Sequence, residues 1–526
     1  MDRSPPPPVP GSRLAEPLAA LSLVSDMARG RPPDEAMRAC LVATSLARAM
    51  GVSETATADV YYTTLLRSVG CTATSHEYAA LFDGDDVAAR GRGDRIDPTA
   101  PGDVIPFLWA ATPGGSLAGK VRSFPATSRM ARRLFADGAR ADCEVGARMA
   151  RRFGLGAAVE SALLRVFERW DGKGPAGLAG DAIDLPTRFA AVAYTLVMFE
   201  GDGPGRGGPA VRRWAGHGLD PGIAAAAADH LDRTLEAVRE DDPWRAVVAA
   251  EPAPVRRASE HDLDEVVRGF ADAVDLKSPF FHGHSSGVAA LASAAAAGLG
   301  LGEAEVTDIR RAGLLHDLGR AAVPTGIWEK PGPLSTSERE QVHLHAYHTE
   351  RILGRAPALD RLARLAGMHH ERLDGSGYHR GAPPSMQTVA MRLLAAADVY
   401  HALTEDRPHR AALSPRDAAR LLETLPLDRD AVRSVLEAAG QTAGRAPVRP
   451  AGITDRELDV LHRLVRGRSE KEIAAELVIS PATVHTHVVH IYEKAGVSTR
   501  AGLAMFAMEH DLIRPGEPPR SGGRID

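Results

Sequence analysis

Cysteine is scarce in this chain: Cys40, Cys71 and Cys143 are the only three in 526 residues, and no two stand at a C-x-x-C spacing. A disulfide framework and a thiolate metal site are both excluded, and the three read as reduced, buried thiols of a cytoplasmic protein. Charge of one sign is also lacking. The formal net charge is −5 and the pI near 6.5, so nothing global marks a nucleic-acid or membrane surface, and any DNA contact has to be local. No run approaches the roughly 20 uninterrupted apolar residues of a membrane helix, and the opening MDRSPPPPVPGSR has no apolar segment of a secretory leader. Alternation of apolar and polar residues with β-branched enrichment is nearly absent as well. The expected fold is therefore all-α.

What is present is length, punctuation and histidine. At 526 residues and 44% hydrophobic content the chain can fill several cores. Proline and glycine clusters interrupt Ala/Leu/Arg-rich stretches of helical periodicity, at Glu251-Pro252-Ala253-Pro254 and in TAGRAPVRPAG from Thr442 to Gly452. The divisions that follow are a disordered tail at 1–14, helical domains at 15–252 and 253–441, a linker at 442–452, a small domain at 453–514 and a second tail at 515–526.

Eleven of the 20 histidines fall between His282 and His409, denser than even scatter would give. Among them are His284, His316-Asp317, His345 and His369-His370, which with Asp398 make a set of imidazoles and carboxylates within about 115 residues. That donor set suits a pair of first-row divalent metal ions that clamp a phosphate and acidify water. Adjacent residues on a helix project in different directions, so Asp317 is expected to bridge the two ions while His316 binds one. His282, His343, His348, His401 and His409 hold no place in the pattern and are expected at the surface.

A weaker copy of the same order precedes it. Leu65-Leu66-Arg67-Ser68-Val69-Gly70 aligns with Leu314-Leu315-His316-Asp317-Leu318-Gly319, and Glu168 to Gly174 aligns with Glu371 to Gly377. Arg188 to Tyr194 aligns in turn with Arg392 to Asp398. Arg67, Ser68, Val166, Phe167 and Tyr194 stand at ligand positions, so no metal is expected there.

From Asp275 to Arg410 the chain resembles the HD-GYP phosphohydrolases, a branch of the HD superfamily. The resemblance rests on DLKSPFFHGHS, HDLGR, HLHAYHTERIL, HHERLDGSGY and AADVYHALTEDRP. Together with the weaker copy it makes the expected fold tandem HD-type helical domains with the first degenerate, and it implies hydrolysis of cyclic di-GMP and two divalent ions, iron or manganese. Phe280 stands where trinuclear members carry a glutamate, so a third ion is not expected. His379 replaces the proline of the name-giving tripeptide, and Arg320 replaces a lysine, exchanging a point charge for a planar fork. Asp317, Lys277, Arg320 and Arg410 are the expected catalytic residues, the three cations as phosphate-facing groups.

The last segment has its own signature. Thr454 to Glu457 and Ser469 to Glu472 are capping boxes, and Ser480-Pro481 opens a third helix in which Val484, Val488 and Ile491 form an apolar stripe. The segment from Ile453 to Leu503 resembles the LuxR-type helix-turn-helix. That resemblance implies double-stranded DNA as partner, a homodimer formed through a fourth helix near Arg500 to His510, and DNA contacts from Lys471, Thr483, His485, Thr486, Val489 and Lys494. Three readings share these features: an enzyme on a cyclic dinucleotide coupled to transcription, a regulator that binds a nucleotide without turnover, and a hydrolase of another phosphoester.

Overall fold

The computed structural model describes residues 12–112, 116–442 and 450–513. Most of the two tails and the centre of the linker lie outside these. Residues 12–14, expected in the first tail, are packed: Leu14 donates to the Arg256 carbonyl at 2.9 Å, and Ser12 accepts from Ala258 at 2.9 Å. Among the described residues there are helices and isolated bridges but no sheet.

Local sequence writes the helix starts. The hydroxyl of Thr454 accepts from Glu457 N while the Glu457 carboxylate accepts from Thr454 N at 2.8 Å, and Ser469 with Glu472 repeats the arrangement. Ser480 caps the helix Pro481–Ala495, whose Val484, Val488 and Ile491 are all buried. One apolar core runs from Leu14 through the histidine-rich half to Leu512, so the small C-terminal domain shares a core with the rest of the chain.

The two larger halves run parallel helix by helix. Glu35–Ala49 corresponds to His284–Gly298, Glu54–Leu65 to Glu303–Leu315, and Ala157–Leu164 to Asp360–Gly367. Buried polar contacts recur in register. Asp26 accepts from Ala36 N at 3.0 Å as Asp275 accepts from Ser285 N at 2.9 Å. Glu168 holds Ala176 N and Leu178 N at 2.6 and 2.9 Å, and Glu371 holds Arg380 N and Ala382 N at 2.8 and 2.6 Å. One glycine in each half marks the same close approach. A β-carbon on Gly70 would lie 2.0 Å from the Asp142 carbonyl oxygen, and one on Gly319 would lie 2.0 Å from that of His345.

This register identifies two further replaced positions that the sequence motifs had missed. Glu35 opens its helix where His284 opens its own, and Asp142 takes the place of His345. In the first half the centre is filled by a protein cation: the Arg67 guanidinium lies 5.0 Å from the Phe167 ring and 4.8 Å from the Tyr194 ring. Glu35 is held by Arg31 and Asp142 by Arg90, so the remaining carboxylates already have counter-ions.

Candidate functional site

Five helices and their ends bring the seven metal-type residues into one buried centre. His284 is the first residue of its helix, after Gly283 at φ 78°, a left-handed turn that glycine adopts without strain. His316 caps the end of Glu303–Leu315, with Asp317 next to it. His345 projects from Thr336–Leu353, His369 and His370 follow Asp360–Gly367, and Asp398 lies within Val389–Leu403.

The geometry divides around Asp317. Its Oδ2 lies 3.4 Å from His284 Nε2 and 2.9 Å from His316 Nε2, whereas its Oδ1 lies 3.3 Å from His345 Nε2 and 3.6 Å from His369 Nε2. Asp398 completes the first group, with Oδ1 at 3.3 Å from His284 Nε2, and His370 stands with His345 and His369 in the second. His284 Nε2, His316 Nε2 and both Asp317 oxygens are buried without a hydrogen-bond partner. Four such converging polar atoms, of which Asp317 Oδ2 has only its ion pair with Arg320 at 2.7 Å, are costly unless something binds among them, and this donor set fits divalent cations.

The far side is fixed in four of the five imidazoles. His316, His345 and His369 direct Nδ1 at the carbonyls of Gly313, Val342 and Ala366 on their own helices, the first at 2.6 Å and the last at 2.7 Å. Such bonds hold a proton on Nδ1 and turn Nε2 toward the centre as the ligand atom; at His316, which Asp317 raises to about 9 against burial, a bound cation has to displace the Nε2 proton. His284 has a side-chain partner instead, Glu405 Oε2 at 2.8 Å, itself bonded by Arg407 at 2.6 Å.

Electrostatics follow from this packing. Burial alone would raise the Asp317 carboxyl, but the Arg320 guanidinium and His316 outweigh it and hold it well below the usual range. Asp398 is likewise held down against burial by His284 and His316, while burial pushes His369 down to about 4. The carboxylates are thus charged and His369 neutral at pH 7, the states in which each is a ligand.

Sequence reasoning placed some residues wrongly. Lys277 is fully buried, and its ammonium pairs with Asp86 Oδ2 at 2.9 Å, joining the two halves instead of facing a phosphate. Arg410 donates to the carbonyls of Leu403 at 3.0 Å and of Ala402, which commits its guanidinium to fastening the loop after Val389–Leu403. Arg320 does stand at the centre, 2.7 Å from Asp317 Oδ2 and with its guanidinium 4.5 Å from the Phe281 ring; its Nε and Nη1 are buried without partners. His401, expected at the surface, is buried with Nδ1 3.3 Å from His284 Nδ1. Its spacing from Glu405, one turn on, was the available signal. Replacing Glu405 by alanine should weaken metal retention about 10- to 100-fold, because His284 loses the acceptor that sets its tautomer; competition with a chelator measures this.

In the C-terminal domain Lys471, Thr483, His485, Thr486 and Val489 are exposed, and His485 lies 3.3 Å from Glu470. Lys494 departs from expectation: its ammonium bonds Glu457 at 2.7 Å and the Gly452 carbonyl at 3.0 Å, so it braces the domain from within. The fourth helix, Arg500–Glu509, has Ala501 to Met508 all buried, packed between its own domain and the helices Leu117–Arg152 and Glu260–Asp275. A homodimer through that helix would require it to leave this position. Between the two sites runs a short connection: His282 faces the backbone of Val465 in the first helix of the C-terminal domain, and a β-carbon on Gly283 would lie 3.5 Å from Ile513.

Comparison with known proteins agrees with this division. Residues 268–429 match the family model described as HD domain, and residues 451–507 match that of bacterial regulatory proteins, luxR family. The chain is 29% identical over 422 residues to the 3'3'-cGAMP-specific phosphodiesterase 3 of Vibrio cholerae serotype O1, covering 78% of this chain and 90% of that protein. It is 36% identical over 163 residues to the cyclic di-GMP phosphodiesterase of Thermotoga maritima, 31% of this chain and 44% of that one. A crystal structure of a cyclic GMP-AMP specific phosphodiesterase of V. cholerae superposes with a TM-score of 0.56 at 26% identity, over 82% of this chain and 98% of that one. No helix among the described residues is long and apolar enough to cross a membrane.

Proposed function

We propose that this chain, an HD domain joined to a luxR-family helix-turn-helix, is a metal-dependent phosphodiesterase acting on a cyclic dinucleotide in the cytoplasm and coupled to DNA. The observation that carries the reading is the division of the Asp317 carboxylate, one oxygen toward His284 and His316 and the other toward His345 and His369. On this reading one ion is held by His284, His316, Asp398 and Asp317, and the second by His345, His369, His370 and Asp317. Bound iron or manganese would supply Lewis acidity toward a phosphoryl oxygen and lower the pKa of water.

The remaining work falls to the chain itself. Arg320 is held by Asp317 and stacked on Phe281, so its unpartnered Nε and Nη1 present a fixed pair of N–H donors to a phosphate. Residues 15–252 serve as a metal-free partner, since Arg67 occupies their centre. The approach of His282 and Gly283 to Val465 and Ile513 supports coupling, because a shift of the His284 segment on substrate binding reaches the DNA-binding domain directly. Cyclic di-GMP is the first substrate to test. The extent of the match to the 3'3'-cGAMP-specific relative makes that molecule the second.

The test is hydrolysis of both by protein purified anaerobically and supplied with iron or manganese, with a chelator as blank. Metal-dependent formation of a linear dinucleotide is expected. Tight binding without turnover would favour a ligand-gated regulator, and no binding of either would move the substrate to another phosphoester.

A further inference from the structure

The helix-turn-helix is poorly equipped to hold a phosphate backbone by itself. Between residues 451 and 513 there are seven Lys and Arg against nine Asp and Glu. The recognition helix Pro481–Ala495 has no arginine, and its single lysine, Lys494, is consumed by Glu457. Arg463 and Arg468 are paired with Glu476. Duplex DNA binding draws much of its free energy from cations on phosphates, so a deficit of this size asks where the cations are.

They lie on the helix to which the domain is docked. From Ser116 to Ala141 the chain carries Lys120, Arg122, Arg129, Arg132, Arg133 and Arg140 against Asp137 alone. Arg122, Arg129, Arg132 and Arg133 are exposed, and among the described residues none of the four has an ion-pair or hydrogen-bond partner. Arg140 is exposed too and pairs with Asp137.

Arg122, Arg129, Arg133 and Arg140 recur at intervals of seven, four and seven residues, and Glu144 follows four residues on. With about 3.6 residues per turn, all five fall on one side of Leu117–Arg152. Glu144 is the docking point. Its carboxylate accepts from Ser498 N at 2.7 Å and Thr499 N at 3.1 Å, and Arg148 pairs with Glu509 at 2.5 Å. An open cavity of about 590 Å³ lies between Glu144 and the recognition-helix residues His485, Val488, Val489 and Glu493. The arginine stripe therefore starts beside the face that would enter the groove and runs away from it for about 33 Å at 1.5 Å per residue, close to one turn of duplex.

We infer that the arginine face of Leu117–Arg152 is a second DNA-contacting surface, which binds the phosphate backbone next to the site read by the recognition helix. The inference rests on the DNA-binding reading of the C-terminal domain and assigns to the N-terminal half the non-specific share of affinity. Charge complementarity and continuity with the docked domain favour duplex DNA over other polyanions.

The test uses the full chain and a mixed-sequence duplex of about 40 base pairs, with binding followed by fluorescence anisotropy across a range of salt. The variant carrying R122A, R129A, R133A and R140A should bind at least about tenfold more weakly. Its plot of log affinity against log salt should be shallower by up to about 3.6, four phosphates at about 0.9 each. Lysine at the same four positions should restore the slope, which a merely structural role of the arginines would not produce. An unchanged affinity and slope in the alanine variant, with DNA still bound, would overturn the stripe and leave the helix-turn-helix reading standing. A full chain that binds no duplex at low salt would overturn both.

Discussion

Replacing Asp317 by alanine is expected to strip the protein of metal and to lower cyclic-dinucleotide turnover at least about a thousandfold, a loss of roughly 4 kcal/mol of transition-state stabilisation. Its two oxygens divide between the histidine groups, with Oδ2 2.9 Å from His316 Nε2 and Oδ1 3.3 Å from His345 Nε2. Its loss removes one donor from each ion together with the charge that Arg320 balances. Metal analysis of the purified variant and chromatography of the reaction products are the measurements. Two equivalents of metal retained by the variant would defeat the assignment of Asp317 as a bridge.

Gly319→Ala is expected to be the most damaging substitution that touches no ligand side chain. A β-carbon there would lie 2.0 Å from the His345 carbonyl oxygen and 2.7 Å from its carbon, and backbone cannot swing aside as a flexible side chain can. Either the turn after Asp317 or the helix carrying His345 has to move, at a cost of about 3 kcal/mol or more in stability. Thr349 adds rigidity, since its hydroxyl accepts from Gly319 N and donates to the His316 carbonyl, both at 3.0 Å. Metal affinity should fall with stability. Gly70→Ala meets the same obstacle at Asp142 in the first half, so it should cost comparable stability and leave metal content unchanged. Gly298→Ala, with open space around it, should be neutral or slightly stabilising. Thermal unfolding combined with metal analysis of the three variants checks the set, and metal loss in Gly70→Ala would contradict the division of roles between the halves.

Much of the arrangement was legible because it is written locally. The capping boxes at Thr454 and Ser469 need only four consecutive residues, and their bonds are in place. Adjacent His316 and Asp317, or His369 and His370, announce a centre without knowledge of the fold, since helix geometry fixes how neighbours diverge. What failed depends on long-range packing. Lys277 looks like a phosphate ligand until Asp86, a residue of the other half, lies against it in the interior. Lys494 looks like a DNA contact until Glu457 closes on it. Glu35 and Asp142 carry no motif at all, and only the matching helix bounds and the common approach at Gly70 and Gly319 assign them. His401 and Glu405 were passed over because their one-turn spacing shows that the two can meet each other but not that both lie against His284.

The arrangement of the helix Arg500–Glu509 bears on regulation. Its enclosure against Leu117–Arg152 and Glu260–Asp275 means that the DNA-binding domain is packed on both halves of the remaining chain, within the same apolar core. Events at the metal centre therefore have a physical route to the DNA-binding domain that does not depend on the linker, through the approach of Gly283 to Ile513 on one side and Glu144 with Arg148 on the other.

The most direct test of the central claim is a titration of iron(II) into metal-free protein under anaerobic conditions, with bound metal and cyclic-dinucleotide hydrolysis measured at each addition. Two equivalents per chain are expected, with turnover rising as the second is taken up, because Asp317 faces two histidine groups and the Arg67 centre holds none. Saturation at a single equivalent, uptake by the first half, or two bound ions with no hydrolysis of any cyclic dinucleotide would contradict the account.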